Sequence, residues 1–273
     1  MPRISLLHQN FSSSRILLNS KLQNDQVGRG VITHPSMAVA GFFDENIDMH
    51  KGLSASVYAP GKNNRYFFES MYADPRFVAI MHPGAGDEIL KSVKNYRKIG
   101  GFGIMLVDEV SSSNEVFIDK DTGSLEVFYR LSNQDKKVMQ GAMKRAVEIL
   151  FQQGAKAVMI PTGEHITSEE GALLYSKKAA YKVIDKMRFK DGLNYISSAH
   201  MQSSNKMGRN PKDSVVSHNF RFWDQTTGEE IPNLYICDSS IFPTSIGANP
   251  MQSIYTVAKI FSDKLVDEAR DKW

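Results

Sequence analysis

The sequence predicts a mixed fold: α+β in its middle, with an antiparallel sheet and helices on one face, and α/β in character at its end. Three observations point there. Two β-type runs, NEVFIDK at 114 to 120 and LEVFYRL at 125 to 131, flank the turn Asp121-Thr122-Gly123, whose glycine supplies the positive φ of a tight reversal. Residues 132 to 153 set Met139, Met143, Ala146 and Leu150 at helical spacing. Residues 234 to 265 read as a short apolar strand ending at Asp238, a loop, and a helix with one apolar stripe.

The remaining elements follow in order. SSSRILLNS at 12 to 20 reads as a short helix, and VGRGVITHPSM at 27 to 37, with two glycines and a His-Pro, as a loop. MAVAGFF at 37 to 43 and LSASVYA at 53 to 59 are β-type, the second with the alternation of a half-buried strand. A helix is expected at 86 to 98, and GFGIMLVDEV at 101 to 110 reads as a strand antiparallel with the two around the turn. Ser132 is placed as N-cap of the long helix, with Asp135 completing a capping box and Gly154 as the stop. A short strand at 157 to 160 and a helix near 171 to 187 precede a segment rich in Ser, Asn and Gly.

Composition narrows the function classes. The chain has 273 residues, 41% hydrophobic and 23% charged, which is ordinary for a folded protein. Its net charge of +3 is spread among acids without a basic stripe, so nucleic acid is not expected as a partner. The lone Cys237 excludes an intrachain disulfide and a cysteine-built zinc site. No run approaches the roughly 18 apolar residues of a membrane span, and MPRISLLHQN lacks a signal-peptide core, so a cytoplasmic location is expected unless a signal is missing upstream. His34, His82, His165 and His218 fall in loops without metal-ligand spacing, so surface or structural roles are expected for them and no metal is predicted.

Two segments carry chemistry. SSAHMQSSNKMG at 197 to 208 sets His200 among small hydroxyl and amide residues, a setting that suits either a site residue or a structural histidine in a polar loop. In NLYICDSSIFPTSIGANPMQSI at 233 to 254, Asp238 and Ser239 follow a strand, where open α/β sheets bind ligands and a carboxylate suits ribose or ribityl hydroxyls; a turn or cap is the alternative. The loop from Pro243, with Gly247, delivers Asn249 as N-cap and Pro250 as first helical residue, with Ile254, Val257, Ala258, Phe261 and Leu265 as the stripe. Such a helix start presents N–H groups and partial positive charge to an anion or an electron-rich oxygen.

The second segment resembles the Asn-Leu-Tyr, Asp-x-Ser-x-Phe-Pro-Thr, Gly-x-Asn-Pro-Met pattern near the end of glucose-methanol-choline (GMC) oxidoreductases, and His200 to Gly208 is similar to that family's His-x-x-Gly-Thr-x-x-Met-Gly. Weaker likeness extends through residues 12 to 35 and 127 to 158. The resemblance implies an FAD-dependent enzyme that oxidises an alcohol CH-OH group by hydride transfer to flavin N5, a long-chain alcohol being mildly preferred. His200 is then the base or the acid/base that binds the alkoxide, and Asn249 orients the substrate oxygen. Asp238 and Ser239 bind the ribityl and pyrophosphate region, and Gly247, Pro250 and Met251 lie at the flavin. It also implies three regions: 1–36 ending a first flavin-domain portion, 37–193 a substrate-binding domain, and 194–273 a carboxyl-terminal flavin-domain segment.

The family's Gly-x-Gly-x-x-Gly is not found here; the nearest pairs, GRG at 28 to 30 and GFG at 101 to 103, lack the third glycine. The chain is therefore expected to be the carboxyl-terminal part of a longer enzyme, a split-gene product needing an amino-terminal partner chain to hold FAD, or a remnant. A noncatalytic binding or complementing module is the alternative. Ser203 and Ser204 stand where the family has Gly and Thr, and Ser203 is expected to alter the backbone near the flavin.

Overall fold

In a computed structural model, residues 11 to 166 and 171 to 270 are described. In chain order the elements are α1 (Ser12–Asn19), β1 (Ser36–Phe42), β2 (Tyr58–Pro60), β3 (Tyr66–Ser70), α2 (Pro75–Met81), α3 (Asp87–Lys94), β4 (Ile99–Leu106), β5 (Glu115–Ile118) and β6 (Leu125–Phe128). There follow α4 (Asn133–Gln152), β7 (Ala157–Met159), β8 (Leu173–Leu174), α5 (Lys177–Lys186), β9 (Arg221–Trp223), β10 (Glu230–Tyr235) and α6 (Met251–Arg270). They fall into two compact units. One contains Pro35–Val107 and Ser132–Ser197; the other contains the chain up to His34, Asp108–Leu131, and the chain from Ser198.

The first of these is a six-stranded sheet in the order β2-β3-β4-β1-β7-β8, every described pairing antiparallel. Strand β1 is buried along its middle because both faces of the sheet are covered. Gly41 approaches Leu150 of α4, whereas its alternate neighbours Ala38 and Ala40 pack with Val78 and Met81 of α2. Helices thus lie on both faces, not on one. The buried positions of α4 include Met139, Met143, Ala146 and Leu150, the predicted stripe, and Ser132 caps it by accepting the Asp135 N–H at 2.9 Å. Gly101 is required where it stands, since a Cβ there would lie 2.4 Å from the Val39 carbonyl oxygen of the neighbouring strand.

The second unit holds the hairpin β5–β6, the antiparallel pair β9–β10, and helices α1 and α6. Its main core gathers Leu17, Val215, Val216, Phe220, Phe222, Ile236 and Ile241, with Ile254, Val257 and Phe261 of α6 packed against it. Among the described residues, no helix is long and apolar enough to cross a membrane.

Several expectations need correction. Residues 108 to 131 group with the terminal segments, so β4 and the β5–β6 hairpin belong to different sheets. Of the 53-to-59 run only Tyr58 and Ala59 are strand, in β2, an exposed strand at the edge of the sheet. The helix expected from 171 starts at Lys177, after the short strand β8, because Ser176 caps it by accepting the Ala179 N–H. Residues 86 to 98 divide into α3 and a 3-10 turn at Tyr96–Lys98. Of the strand expected at 234 to 237 only Leu234 and Tyr235 are strand, the end of β10, which starts at Glu230 and pairs antiparallel with β9, so no parallel-sheet edge precedes Asp238 among the described residues.

Candidate functional site

The site grows from one buried carboxylate. Asp108, 2% exposed, follows β4 and accepts four hydrogen bonds: Thr33 N–H at 3.0 Å, His34 N–H at 3.2 Å, the Tyr129 hydroxyl at 2.6 Å and the Ser245 hydroxyl at 3.1 Å. Three chain segments, before β1, after β6 and before α6, are thereby tied to one side chain. Burial raises the Asp108 carboxyl above its usual range, and the Tyr129, Thr33 and His34 donors offset only part of that rise. The pair of backbone donors also holds His34 at φ 47°, a left-handed conformation that costs a residue with a Cβ.

The clamped His34 is 1% exposed, and its Nδ1 lies 3.3 Å from Nδ1 of His200, the two rings edge to face with centroids 5.4 Å apart. Burial, then the neighbouring His200, depress the His34 imidazole to about 4. His200 is half-buried, its imidazole also depressed by loss of water. Gln202 completes the grip: its Nε2 is 3.2 Å from His34 Nε2 and donates to the His200 carbonyl at 3.2 Å, and its Oε1 accepts the Ile246 N–H at 3.3 Å. Of the surface or structural roles expected for His34, the structure excludes the surface one and buries it against the histidine singled out from the sequence.

Beyond Gln202 the chain turns sharply. Ser203 and Ser204 have φ values of 63° and 79°, so the backbone keeps the glycine-like conformation although serines occupy it. The turn is pinned by Ser203 N–H on the Ser239 carbonyl at 3.0 Å and Asn205 N–H on the Ser240 carbonyl at 2.9 Å. Asp238 caps the short 3-10 turn Ser239–Ile241, accepting the Ser240 N–H at 2.8 Å and, at its other oxygen, the Ser13 hydroxyl. The capping alternative for Asp238 is therefore realised, and Ser239 is buried beside it. A carboxylate has about four acceptor sites, so both oxygens retain capacity for further hydroxyl donors.

At the start of α6 the helix begins one residue later than expected. Pro250 is buried and its carbonyl accepts the Ile254 N–H at 2.9 Å, which puts Pro250, not Asn249, at the capping position. Gly247 and Asn249 are exposed, Met251 is 55% exposed, and a Cβ on Gly247 would meet nothing within 4 Å. Ser245 and Ile246, held by Asp108 and Gln202, connect this loop to the histidine pair. An imidazole, a carboxamide and first-turn amides are donors of the kind that suit the oxygen- and nitrogen-rich end of a flavin, and the space at Gly247 is open. Among the described residues, no group of three or more metal-ligating side chains is found.

Of the predicted residues, His200 lies at the centre of this network, while Asp238 and Ser239 bound it through the 203-to-205 turn. Missed by sequence reasoning were His34, Asp108, Tyr129, Gln202 and Ser245. Only the His-Pro at 34 and 35 offered a local signal, and it marks a turn as readily as a site.

Comparison with known proteins identifies the family and the fold. The GMC oxidoreductase family model matches residues 111 to 258, more than half of the chain. A long-chain-alcohol oxidase of Arabidopsis thaliana is 24% identical over 94% of this chain and 36% of its own length. An uncharacterized GMC-type oxidoreductase of Mycobacterium tuberculosis is 22% identical over 88% of this chain and 36% of its own. Among solved structures, formate oxidase of Aspergillus oryzae matches with a TM-score of 0.58 at 12% identity, covering 92% of this chain and 49% of that one. An FAD-dependent oxidoreductase from Chaetomium thermophilum matches with a TM-score of 0.54 at 14% identity, covering 90% and 49%. The chain thus spans about a third of the length of these curated relatives. With its fold, both motifs and the family match in agreement, the chain belongs to the GMC oxidoreductase family.

Proposed function

We propose that this chain supplies the histidine end of the active site of an FAD-dependent enzyme that oxidises the CH-OH group of an alcohol. The observation that carries the reading is the buried His34, held by Gln202, against the ring of His200, a residue that lies within the span matching the family. Buried polar networks are costly unless fully satisfied, and one that fixes a single half-buried imidazole suits a group that must meet a reacting atom in one orientation.

In this reading His200 contacts the substrate oxygen, as base or as the acid/base that binds the alkoxide, and Asn249 orients that oxygen from the loop before α6. Asp238 and Ser239 would hold the ribityl and pyrophosphate region, and Gly247, Pro250 and the first-turn amides from Met251 onward the ring end. FAD, when bound, supplies the two-electron acceptor. The substrate class follows from relatives described as long-chain-alcohol oxidases. An amino-terminal FAD-binding half, in a separate chain or in the same longer one, is the proposed partner, since no Gly-x-Gly-x-x-Gly occurs in this sequence. A single half-buried cysteine suits a reducing compartment such as the cytoplasm.

The test is co-expression with an FAD-binding amino-terminal half and anaerobic addition of a long-chain primary alcohol. Bleaching of the flavin absorbance is expected, slowed about 10²- to 10⁴-fold by His200→Gln. A flavin-loaded assembly that no alcohol reduces would overturn the reading. It would favour a binding or complementing module, which the missing nucleotide motif also fits.

A further inference from the structure

We infer that His34 and Gln202 are positioning residues that fix the tautomer of His200, holding its neutral ring with Nδ1 unprotonated and Nε2 protonated. The inference deepens the alcohol-oxidising reading and rests on it for its catalytic meaning, though not for its structural content.

The assignment starts from groups whose hydrogen-bonding roles are fixed. The Ile246 amide is a donor, so the Gln202 atom 3.3 Å away is the carbonyl oxygen. The His200 carbonyl is an acceptor, so the Gln202 atom 3.2 Å away is the NH₂ nitrogen. These two backbone groups determine the orientation of the amide without reference to either ring. Its second N–H then meets His34 Nε2 at 3.2 Å, and that nitrogen must accept.

A neutral imidazole that accepts at Nε2 carries its proton at Nδ1. Burial keeps His34 neutral, with its imidazole depressed to about 4. Its Nδ1–H donates across 3.3 Å to Nδ1 of His200, the one arrangement of two neutral rings in which that contact is attractive and Gln202 is satisfied. His200 must then carry its own proton at Nε2. The Ile246 carbonyl favours protonated His34 and so pulls the other way, but the Gln202 N–H faces the same ring and cannot turn without losing both of its backbone partners.

In the resting neutral pair, His200 offers an N–H at Nε2, the form that binds a substrate or product oxygen by donating to it. The form with a lone pair at Nε2 requires the proton of His34 to sit on its own Nε2, against the Gln202 amide. The His34 ring is enclosed, at 1% exposure, and Asp108 anchors the backbone that carries it through the Thr33 and His34 amides.

The test is long-range ¹H–¹⁵N correlation NMR of the histidine rings in the full ¹⁵N-labelled chain at about pH 7.5, with His34 and His200 assigned from spectra of His34→Phe and His200→Gln. His200 is expected to show an unprotonated Nδ1 and a protonated Nε2, with His34 the reverse, at a preference of roughly tenfold, the worth of one buried hydrogen bond. A wild-type His200 protonated at Nδ1 would overturn the inference. Gln202→Glu, whose carboxylate accepts instead of donating, is expected to invert the pattern. Should that variant not fold, His34→Phe is expected to bring the two His200 tautomers to comparable populations, and an unchanged His200 pattern there counts against the inference. None of these spectra needs flavin or alcohol, so a failed alcohol assay leaves them standing, and a wrong tautomer leaves flavin bleaching untouched.

Discussion

Ser203 sits at φ 63° with its hydroxyl buried and without a hydrogen-bond partner among the described residues. The left-handed conformation costs a residue with a Cβ about 1–2 kcal/mol, and the stranded hydroxyl adds to that. Ser203→Gly removes both penalties and loses about 0.4–1 kcal/mol to the greater freedom of the unfolded chain. A net gain of about 1 kcal/mol is expected, read as a rise in the urea midpoint; a fall would show that the serine makes a contact worth more than its strain. His34 makes a pH-dependent contribution of definite sign. Its folded value, about 4, lies below the ordinary 6.5, so between those limits the unfolded state binds the extra proton and stability falls as pH falls from about 6.5 to 4. The full effect is on the order of 3 kcal/mol, and His34→Phe should flatten this part of the stability-versus-pH curve in chemical denaturation. At this scale the sequence revealed the residue whose neighbours are small and polar, His200, but not those that grip it. Asp108 and Gln202 act across contacts 75 and 44 positions apart along the chain, and nothing local distinguishes them from surface polar residues.

Elements with a strong internal period were legible and edge elements were not. The stripe of α4 is a property of the helix itself, so Met139, Met143, Ala146 and Leu150 are all buried as their spacing requires. By contrast β2 is exposed on both faces and β8 is two residues long, so neither has a burial pattern for the sequence to display. Helix α2 was missed because its seven residues give too little period, although Asp74 caps it by accepting the Phe77 N–H at 2.8 Å and Pro75 opens it. Two substitutions test the sheet unit. Ser132→Ala removes the cap of α4 and is expected to cost about 1 kcal/mol in denaturant unfolding. Gly101→Ala forces a methyl group against the Val39 carbonyl oxygen, 2.4 Å from the ideal Cβ position, and is expected to cost more, about 2–3 kcal/mol. A smaller loss from Gly101→Ala than from Ser132→Ala would mean that the β1–β4 ladder gives way easily.

At the scale of the whole chain, the division of residues between the two units is what a linear reading could least supply. The three consecutive regions expected from the family resemblance put residues 108 to 131 with their neighbours in sequence, whereas the structure places the β5–β6 hairpin in the unit that carries His34 and His200. The physical reason lies in its partners: the Val116 carbonyl oxygen lies 2.1 Å from where a Cβ on Gly28 would stand, Val116 N–H donates to the Gly28 carbonyl at 2.8 Å, and the Asn114 carbonyl accepts the amides of Gly30 and Val31 at 2.8 and 3.0 Å. Such backbone pairings are made by main-chain atoms and leave no trace in side-chain pattern. They do leave one in hydrogen exchange. Ser132→Ala should speed exchange in segments 35–107 and 132–197, while the amides of β5 and β6 should keep wild-type rates and slow instead with Ser203→Gly. If the hairpin amides follow Ser132→Ala as the flanking strands do, residues 108 to 131 belong energetically with the sheet and not with the unit that carries His34 and His200.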